Sequence, residues 1–282
     1  MLISYKKIKD MPSSFIRLFG ISVKEFEILI QKIDSQWSKS LKKAYKRPGR
    51  NFKLPLEDMV LMLLLYYRNY VTQLFVGYLF GIDDSRVCRI IRKLEPVLAK
   101  VMAIKKERHL HPQGIESILI DATEQPCERP KKKQSPYYSG KKKRHTLKTE
   151  IRVTKEGRIV HVSQTKPGSV HDFALYKSQK PLYHKDTRAY VDSGYQGLHK
   201  LHKNTEYPYK SSKTHPLTQE EKEYNRGLSR VRVVVEHTFS KLKNFKILSY
   251  PYRNKRKRYN LKFNIIAGIV NLKNGFATVE AV

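Results

Sequence analysis

Acidic residues are scarce in this chain of 282: 25 Asp and Glu stand against 57 Lys and Arg, leaving a formal net charge of +32. So large an excess of one sign calls for an acidic partner. Cysteine is scarcer still. Cys88 and Cys127 stand far apart with no Cys-x-x-Cys spacing, which excludes a disulfide framework and a cysteine zinc site. Of the ten histidines, His199 and His202 share a helical face, but two ligands without a third do not make a zinc site, and solvated surface histidines are expected. Long apolar runs are missing too. The longest, from Met59 to Tyr67, is nine residues, whereas a membrane span needs about 20. Lys6, Lys7, Lys9 and Asp10 follow the first residues without a signal-peptide hydrophobic region, so a cytosolic protein is expected.

What is present argues for folded domains. Hydrophobic residues make up 40% and aromatics 11%, spread along the chain, which excludes low-complexity disorder. At roughly 100–200 residues per domain, the length allows one large domain or two modest ones. The positive charge is concentrated. Twelve Lys and Arg lie between Arg129 and Arg158 against Glu150 and Glu156 alone. Between His237 and Val279 there is no acid, while Lys241, Lys243, Lys246, Arg253, Lys255, Arg256, Lys257, Arg258, Lys262 and Lys273 accumulate. A polyanion on both regions would release counterions and bind in a salt-dependent way. Tyr137, Tyr138, Phe245, Tyr250, Tyr252 and Tyr259 interleave with this charge, either as base-stacking platforms or as packing.

The first hundred residues read as helices. Ser22 with Glu25 forms a capping box before Val23, Phe26, Ile28, Leu29, Ile30 and Ile33, and Pro55 opens a second helix through Leu64. Gln73, Gly77, Gly81, Ile82 and Val87 then match helix-turn-helix spacing, with a small residue at the helix crossing and a glycine at the turn. Asp83 or Asp84 caps the next helix. Its outer face carries Arg86, Arg89, Arg92 and Lys93, while Val87, Ile90, Ile91 and Leu94 turn inward. This is a DNA recognition helix or an ordinary hairpin with a solvated basic face, and the basic chain around it favours DNA.

From about Gly114 the pattern changes to strands. Ile115, Ile118, Leu119 and Ile120 lead to Asp121, and Ala189, Tyr190 and Val191 lead to Asp192. Between them, 145–153 and 158–163 read as a hairpin around Glu156-Gly157, and a helix follows Pro167-Gly168-Ser169 with Asp172 in its first turn. Tyr207 to Lys210 is a weaker strand, and a long helix from about Thr218 carries Glu236 on its predominantly apolar side, among Val233, Val234, Val235 and Phe239. Lone buried carboxylates are costly, and three converging ones repel unless a cation offsets them. Carboxylate-only ligation suits Mg²⁺ or Mn²⁺, and two such ions about 3.5–4 Å apart serve in-line phosphoryl displacement. The plain alternative makes Asp121 and Asp192 strand-end turn formers and pairs Glu236 with Arg232 or Lys241.

Four motifs in order then resemble one family. Asp121-Ala122-Thr123, Pro167-Gly168-Ser169-Val170-His171-Asp172, Asp192-Ser193-Gly194-Tyr195-Gln196-Gly197 and the stretch from Arg230 to Lys243 are similar to DDE transposases of the bacterial insertion-sequence five family and their Harbinger-type relatives, over roughly 50–275. The resemblance implies an α+β protein: an N-terminal helical helix-turn-helix domain followed by an α/β ribonuclease-H-like catalytic domain with a mixed five-stranded sheet. The domains would be 1–110, with the helix-turn-helix at about 72–95, and 111–282, with a basic insertion at about 128–144.

It further implies Asp121, Asp192 and Glu236 as catalytic, metal-binding triad, holding Mg²⁺ or Mn²⁺ as two ions. Arg230, Lys241 and Lys243 would contact DNA phosphates near them. On a helix, Glu236 and Lys243 share a face two turns apart. Asp172 is either a helix N-cap or a supporting carboxylate, the latter favoured, and the basic 131–144 segment reads as a DNA-gripping loop. The expected reaction is metal-dependent strand cleavage at element ends followed by strand transfer. Partners would be double-stranded DNA of terminal repeats and target, with a homodimer or higher on DNA, and the location would be the bacterial cytoplasm at the nucleoid. Rival readings are a domesticated, non-catalytic DNA-binding protein and an RNA-binding protein on the same scaffold.

Overall fold

In the computed structural model, residues 2–44, 52–104, 109–110, 115–179, 182–212 and 216–276 are described. Packing divides the chain into two compact units. One comprises 1–103, 242–250 and 255–282, and the other 104–241 and 251–254.

The first unit is helical: α1 (Tyr5–Ile8), α2 (Pro12–Phe19), α3 (Val23–Ala44), α4 (Leu56–Asn69), α5 (Gln73–Phe80), α6 (Asp84–Met102) and the later α9 (Tyr259–Lys273). The capping box at α3 forms as read. Ser22 N–H donates to Glu25 Oε2 at 2.6 Å, and Glu25 N–H donates to Ser22 Oγ at 3.2 Å. Phe26, Leu29, Ile33 and Trp37 then fall at helical spacing on the buried face. The apolar run Met59–Tyr67 lies wholly buried in α4, a core helix. Among the described residues, no helix is long and apolar enough to cross a membrane.

α9 joins this unit although the sequence reading keeps everything from 111 onward in one domain. Its residues from Lys262 to Asn271 are buried all round, so it needs neighbours on every side. One neighbour is α6. A Cβ on Gly268 would sit 1.8 Å from the Met102 carbonyl oxygen, so only glycine permits that approach. A buried charge cluster ties the same helices: Glu95, fully buried on α6, accepts from Tyr67 Oη at 2.9 Å and Arg258 Nε at 2.8 Å, and pairs with Lys262 Nζ at 2.7 Å. Burial lowers the Lys262 pKa while Glu95 opposes that shift.

The second unit is built on a mixed sheet. Its strands are β2 (Ser117–Pro126), β3 (Tyr138–Ser139), β4 (Arg144–Thr154), β5 (Ile159–Val162), β6 (Lys166–Pro167), β8 (Arg188–Val191) and β9 (Thr205–Glu206); β1 (His109–Leu110) pairs separately with β7 (Leu182–Tyr183). β4 runs antiparallel to β2, while β8 runs parallel to β2 and β9 parallel to β8. The far edge of β4 is shared in turn by β3, β6 and β5, so the body of the sheet is the mixed five-stranded run β5-β4-β2-β8-β9. The α-helices added to these strands are α7 (Asp172–Ser178) and α8 (Gln219–Lys243). Ile118, Ile120, Ala189, Val191, Tyr176, Tyr195 and Leu198 form a core here. The weak strand expected at Tyr207–Lys210 falls at Thr205–Glu206 instead, where β8 offers an edge.

Glu95→Ala should destabilise the helical unit by about 3–5 kcal/mol, because it strands Lys262 and Arg258 without their counter-charge. Urea unfolding read by circular dichroism checks this.

Candidate active site and nucleic-acid interface

The last paired residues of β2 and β8 are Ile120 and Val191, so Asp121 and Asp192 follow side by side where the two strands part. The sequence reading ends the first strand at Asp121. Here β2 continues to Pro126 because β4 pairs with it as far as Thr146, and only β8 is left behind. Each carboxylate is fixed by a neighbouring backbone N–H: Ala122 donates to Asp121 Oδ1 at 2.7 Å and Ser193 to Asp192 Oδ1 at 2.6 Å.

One cation faces both. Arg232 on α8 places Nη2 3.8 Å from Asp121 Oδ2 and Nη1 3.5 Å from Asp192 Oδ1. These are ion-pair distances beyond good hydrogen bonds, and the buried Arg232 Nε has no partner among the described residues. Burial pushes the Asp121 carboxyl up to about 6, with Asp192 and Asp172 adding to the rise and Ala122 N–H and Arg232 opposing it. The two acids therefore converge where a positive charge already sits. Hard carboxylate oxygens around one cationic position fit a divalent ion of the Mg²⁺ type.

Glu236 lies elsewhere than the sequence pattern placed it. Val235, Thr238 and Phe239 are buried while Glu236 and Val233 are exposed, since 100° per residue turns Glu236 off the apolar side. It stands one turn beyond Arg232 on the same face. Among the described residues, no three His, Cys, Asp or Glu side chains are gathered closely enough to hold one ion.

Asp172 is the first residue of α7, whose N-cap is His171, so it does not cap that helix. Lys148 holds it instead. That lysine, 7% exposed on β4, places Nζ 2.9 Å from Asp172 Oδ1 and 3.3 Å from Glu124 Oε1, and donates to the Val170 carbonyl at 2.7 Å. Two glycines of the sequence motifs explain themselves by closeness. A Cβ on Gly168 would meet Thr146 Oγ1 at 1.7 Å, and one on Gly194 would meet Asp172 Oδ2 at 2.9 Å. On the same strand, fully buried Glu150 accepts from Arg152 Nε and Nη2 at 3.0 and 2.8 Å and from Tyr195 Oη at 3.4 Å. Sequence reasoning missed Lys148, Glu150 and Arg152, and it offered Arg232 as a partner of Glu236 where the structure sets it against Asp121 and Asp192. Charge alternating at 148, 150 and 152 was the available signal for the first three.

The helix-turn-helix forms between α5 and α6. Gly81 turns with φ 65°, and a Cβ on Gly77 would lie 2.4 Å from the Ile82 carbonyl oxygen. Asp83 caps α6, accepting from Arg86 N–H at 2.8 Å. Arg86, Arg89 and Arg92 are exposed, and Arg86 and Arg89 border a groove with Phe52, Lys53 and Ile82. Lys93 differs: its ammonium sits 4.8 Å from the Phe52 ring centre and 5.4 Å from that of Trp37, half-buried rather than facing out. Arg230, Lys241 and Lys243 are exposed on α8.

Of the aromatics interleaved with charge, Phe245, Tyr252 and Tyr259 are core residues, while Tyr138 and Tyr250 are 45% and 49% exposed. His202 is buried against the Thr187 carbonyl rather than solvated. Cys88 and Cys127 are free thiols.

Comparison with known proteins adds four findings. Residues 120–271 match the family described as DDE superfamily endonuclease, and 52–104 match the helix-turn-helix of DDE superfamily endonuclease. A Microchaete diplosiphon protein is 40% identical over 272 residues, covering 94% of this chain and 96% of its own. A Streptomyces albus G protein is 25% identical over 241 residues, covering 84% and 86%. Both are assigned by name as transposases, of insertion sequence elements IS702 and IS112 respectively.

Because its pKa rises from 3.8 to about 6 on folding, Asp121 weakens the fold as pH climbs through that window, where the folded state binds the extra proton. Asp121→Asn should therefore raise stability by about 1–3 kcal/mol at pH 7.5 and change it little at pH 4. Thermal unfolding at the two pH values checks both sign and window.

Proposed function

Because this chain belongs to the DDE superfamily of endonucleases, we propose that it is the transposase of a bacterial insertion sequence, cutting and joining DNA in a divalent-metal-dependent reaction. The observation that carries this reading is the adjacency of Asp121 and Asp192 at the parting of two parallel strands, facing one cationic position. Asp121, Asp192 and Glu236 are the residues to hold Mg²⁺ or Mn²⁺, as two ions. When bound, such ions polarise the phosphodiester, favour the deprotonated attacking oxygen and offset charge on the leaving one.

The protein's own residues supply the rest. Exposed Arg86, Arg89 and Arg92 read the major groove or grip its phosphates from the recognition helix, while Lys93 braces that helix through Trp37 and Phe52. Arg230, Lys241 and Lys243 hold phosphates along α8. Asp172, locked by Lys148, adds negative charge beside Asp121 that favours a cation there, and fixes the loop after β6. Water attacks phosphorus at the element end, the bond to the 3′ oxygen breaks, and that oxygen leaves with a proton as a 3′-hydroxyl. The hydroxyl then attacks a target phosphodiester and releases a target 3′-hydroxyl. Each step exchanges one phosphodiester bond for another or for water, so no covalent protein intermediate is required. Joining two element ends calls for a homodimer or larger assembly on DNA, and the substrate places the work in the bacterial cytoplasm, at the nucleoid.

Asp121→Ala and Glu236→Ala should each abolish Mg²⁺-dependent cleavage of DNA carrying the element end while leaving duplex binding within a few-fold. Cleavage retained in both variants would sink the triad. Wild-type protein that binds the ends and never nicks them with Mg²⁺ or Mn²⁺ would be a non-catalytic DNA-binding protein instead.

Arg86→Ala and Arg89→Ala should each weaken duplex binding by about 1–3 kcal/mol if they reach base edges, and each lower the salt slope by about one if they reach phosphates. Titrations at several salt concentrations separate the two contacts.

A further inference from the structure

Beyond Asp121, β2 and β4 run on together as a two-stranded ribbon to the pair Pro126 and Thr146, and a basic lobe, 127–145, closes its end. The lysines at 131–133 and 141–143 and Arg144 are all exposed, and among the described residues none of them pairs with an acid. Seven like charges lie on a lobe of 19 residues, in two runs of neighbours whose Cα atoms are about 3.8 Å apart, well inside a screening length of about 8 Å at physiological salt, so they repel one another unless a polyanion is present.

The lobe is built rather than loose. Cys127 N–H donates to the His145 carbonyl at 2.9 Å, Glu128 N–H to the Tyr252 carbonyl at 3.1 Å, and Tyr252 N–H to the Pro126 carbonyl at 2.8 Å. Arg129 Nε donates to Gln134 Oε1 at 2.8 Å, closing the first turn. In the second turn, buried Ser139 accepts Lys142 N–H at its hydroxyl and Lys143 N–H at its carbonyl. Ser169 N–H, from the Pro-Gly-Ser motif beside Asp172, donates to the Pro136 carbonyl at 3.1 Å. Lys133 and Lys143 hold φ of 53° and 52°, the left-handed region that favours glycine or asparagine. A turn that only had to reverse the chain has easier residues for both places. Lysine there keeps a cation at the cost of backbone strain.

Direction and distance tie the lobe to the acids. The five steps from Asp121 to Pro126 span about 17 Å of extended strand, and a duplex advances about 3.4 Å per nucleotide. We infer that this lobe is a phosphate-backbone grip for the same duplex whose phosphodiester lies at Asp121 and Asp192, engaging it on the order of five to ten nucleotides from the cut. The inference rests on the cleavage reading above and adds a second, separate anchoring point to it.

The test compares wild type with a variant carrying Lys131→Gln, Lys132→Gln, Lys141→Gln and Lys142→Gln, which leaves the left-handed Lys133 and Lys143 in place. Thermal unfolding confirms that both are folded. Binding to duplex DNA flanking the gene is titrated across salt, and phosphate-ethylation interference is mapped on the same duplex relative to the bond cut with Mg²⁺. The variant should show a salt slope shallower by roughly two to four and lose interference about five to ten nucleotides from the cut, with the cut position unchanged. An unchanged slope and pattern would overturn the grip, as would a larger slope change on structured RNA than on duplex DNA. Wild-type protein that never cleaves would sink the catalytic reading alone, because the two salt slopes still decide whether the lobe holds DNA.

Discussion

Among the described residues most carboxylates drawn into the interior have a cation beside them, Asp58, which accepts the Tyr5 N–H at 2.6 Å, being an exception, and that constraint organises both compact units. Glu95 is fully buried and meets Lys262 and Arg258. Glu150 is fully buried and meets Arg152, and Glu124 and Asp172 share Lys148. Asp121 and Asp192 share Arg232. In low dielectric an unpaired carboxylate takes up a proton or unfolds its surroundings, so each acid dictates which neighbour must be basic. With 57 basic residues and 25 acidic ones, supplying these partners still leaves most of the positive charge on the surface.

The four pairings differ in tightness, and the difference separates structure from chemistry. Glu95 and Glu150 are held at 2.6–3.0 Å with hydrogen bonds satisfied, as suits groups that stay paired. Arg232 stands 3.5–3.8 Å from its two acids, with its Nε unpartnered. The loosest pairing is also the one whose two carboxylates are partly open to solvent, at 24% and 45%. Such a pair is poised to exchange its counter-ion, whereas the Glu95 cluster is not.

Much of this was legible along the chain because it depends on neighbours close in sequence. The capping box of Ser22 and Glu25, the Gly77 and Gly81 pair, and the Asp83 cap are local geometries, and each stands where its spacing put it. Asp121 and Asp192 could be singled out because each follows a short apolar run. Glu236 was legible as an acid on α8 but not its direction, since a helix with Val233, Val234 and Val235 in succession offers no single apolar stripe. Lys93 looked like an outer-face residue by period, yet Trp37 and Phe52, distant in sequence, draw it half inside.

The sequence by itself determined the charge imbalance, the element types, the order of the four motifs and hence the family. Charge and element types follow from composition and from periodicities of two and 3.6 residues, which need no knowledge of distant contacts, and the family follows from the likeness of the four motifs to those of known members. Only the tertiary structure decided which acids meet which cations: that Arg232, 40 positions from Asp192 and 111 from Asp121, faces both, that Lys148 serves Asp172, and that α9 packs with α6. Side-chain pairing across strands and helices depends on register and packing, and these are fixed when the whole core closes rather than by any local run of residues.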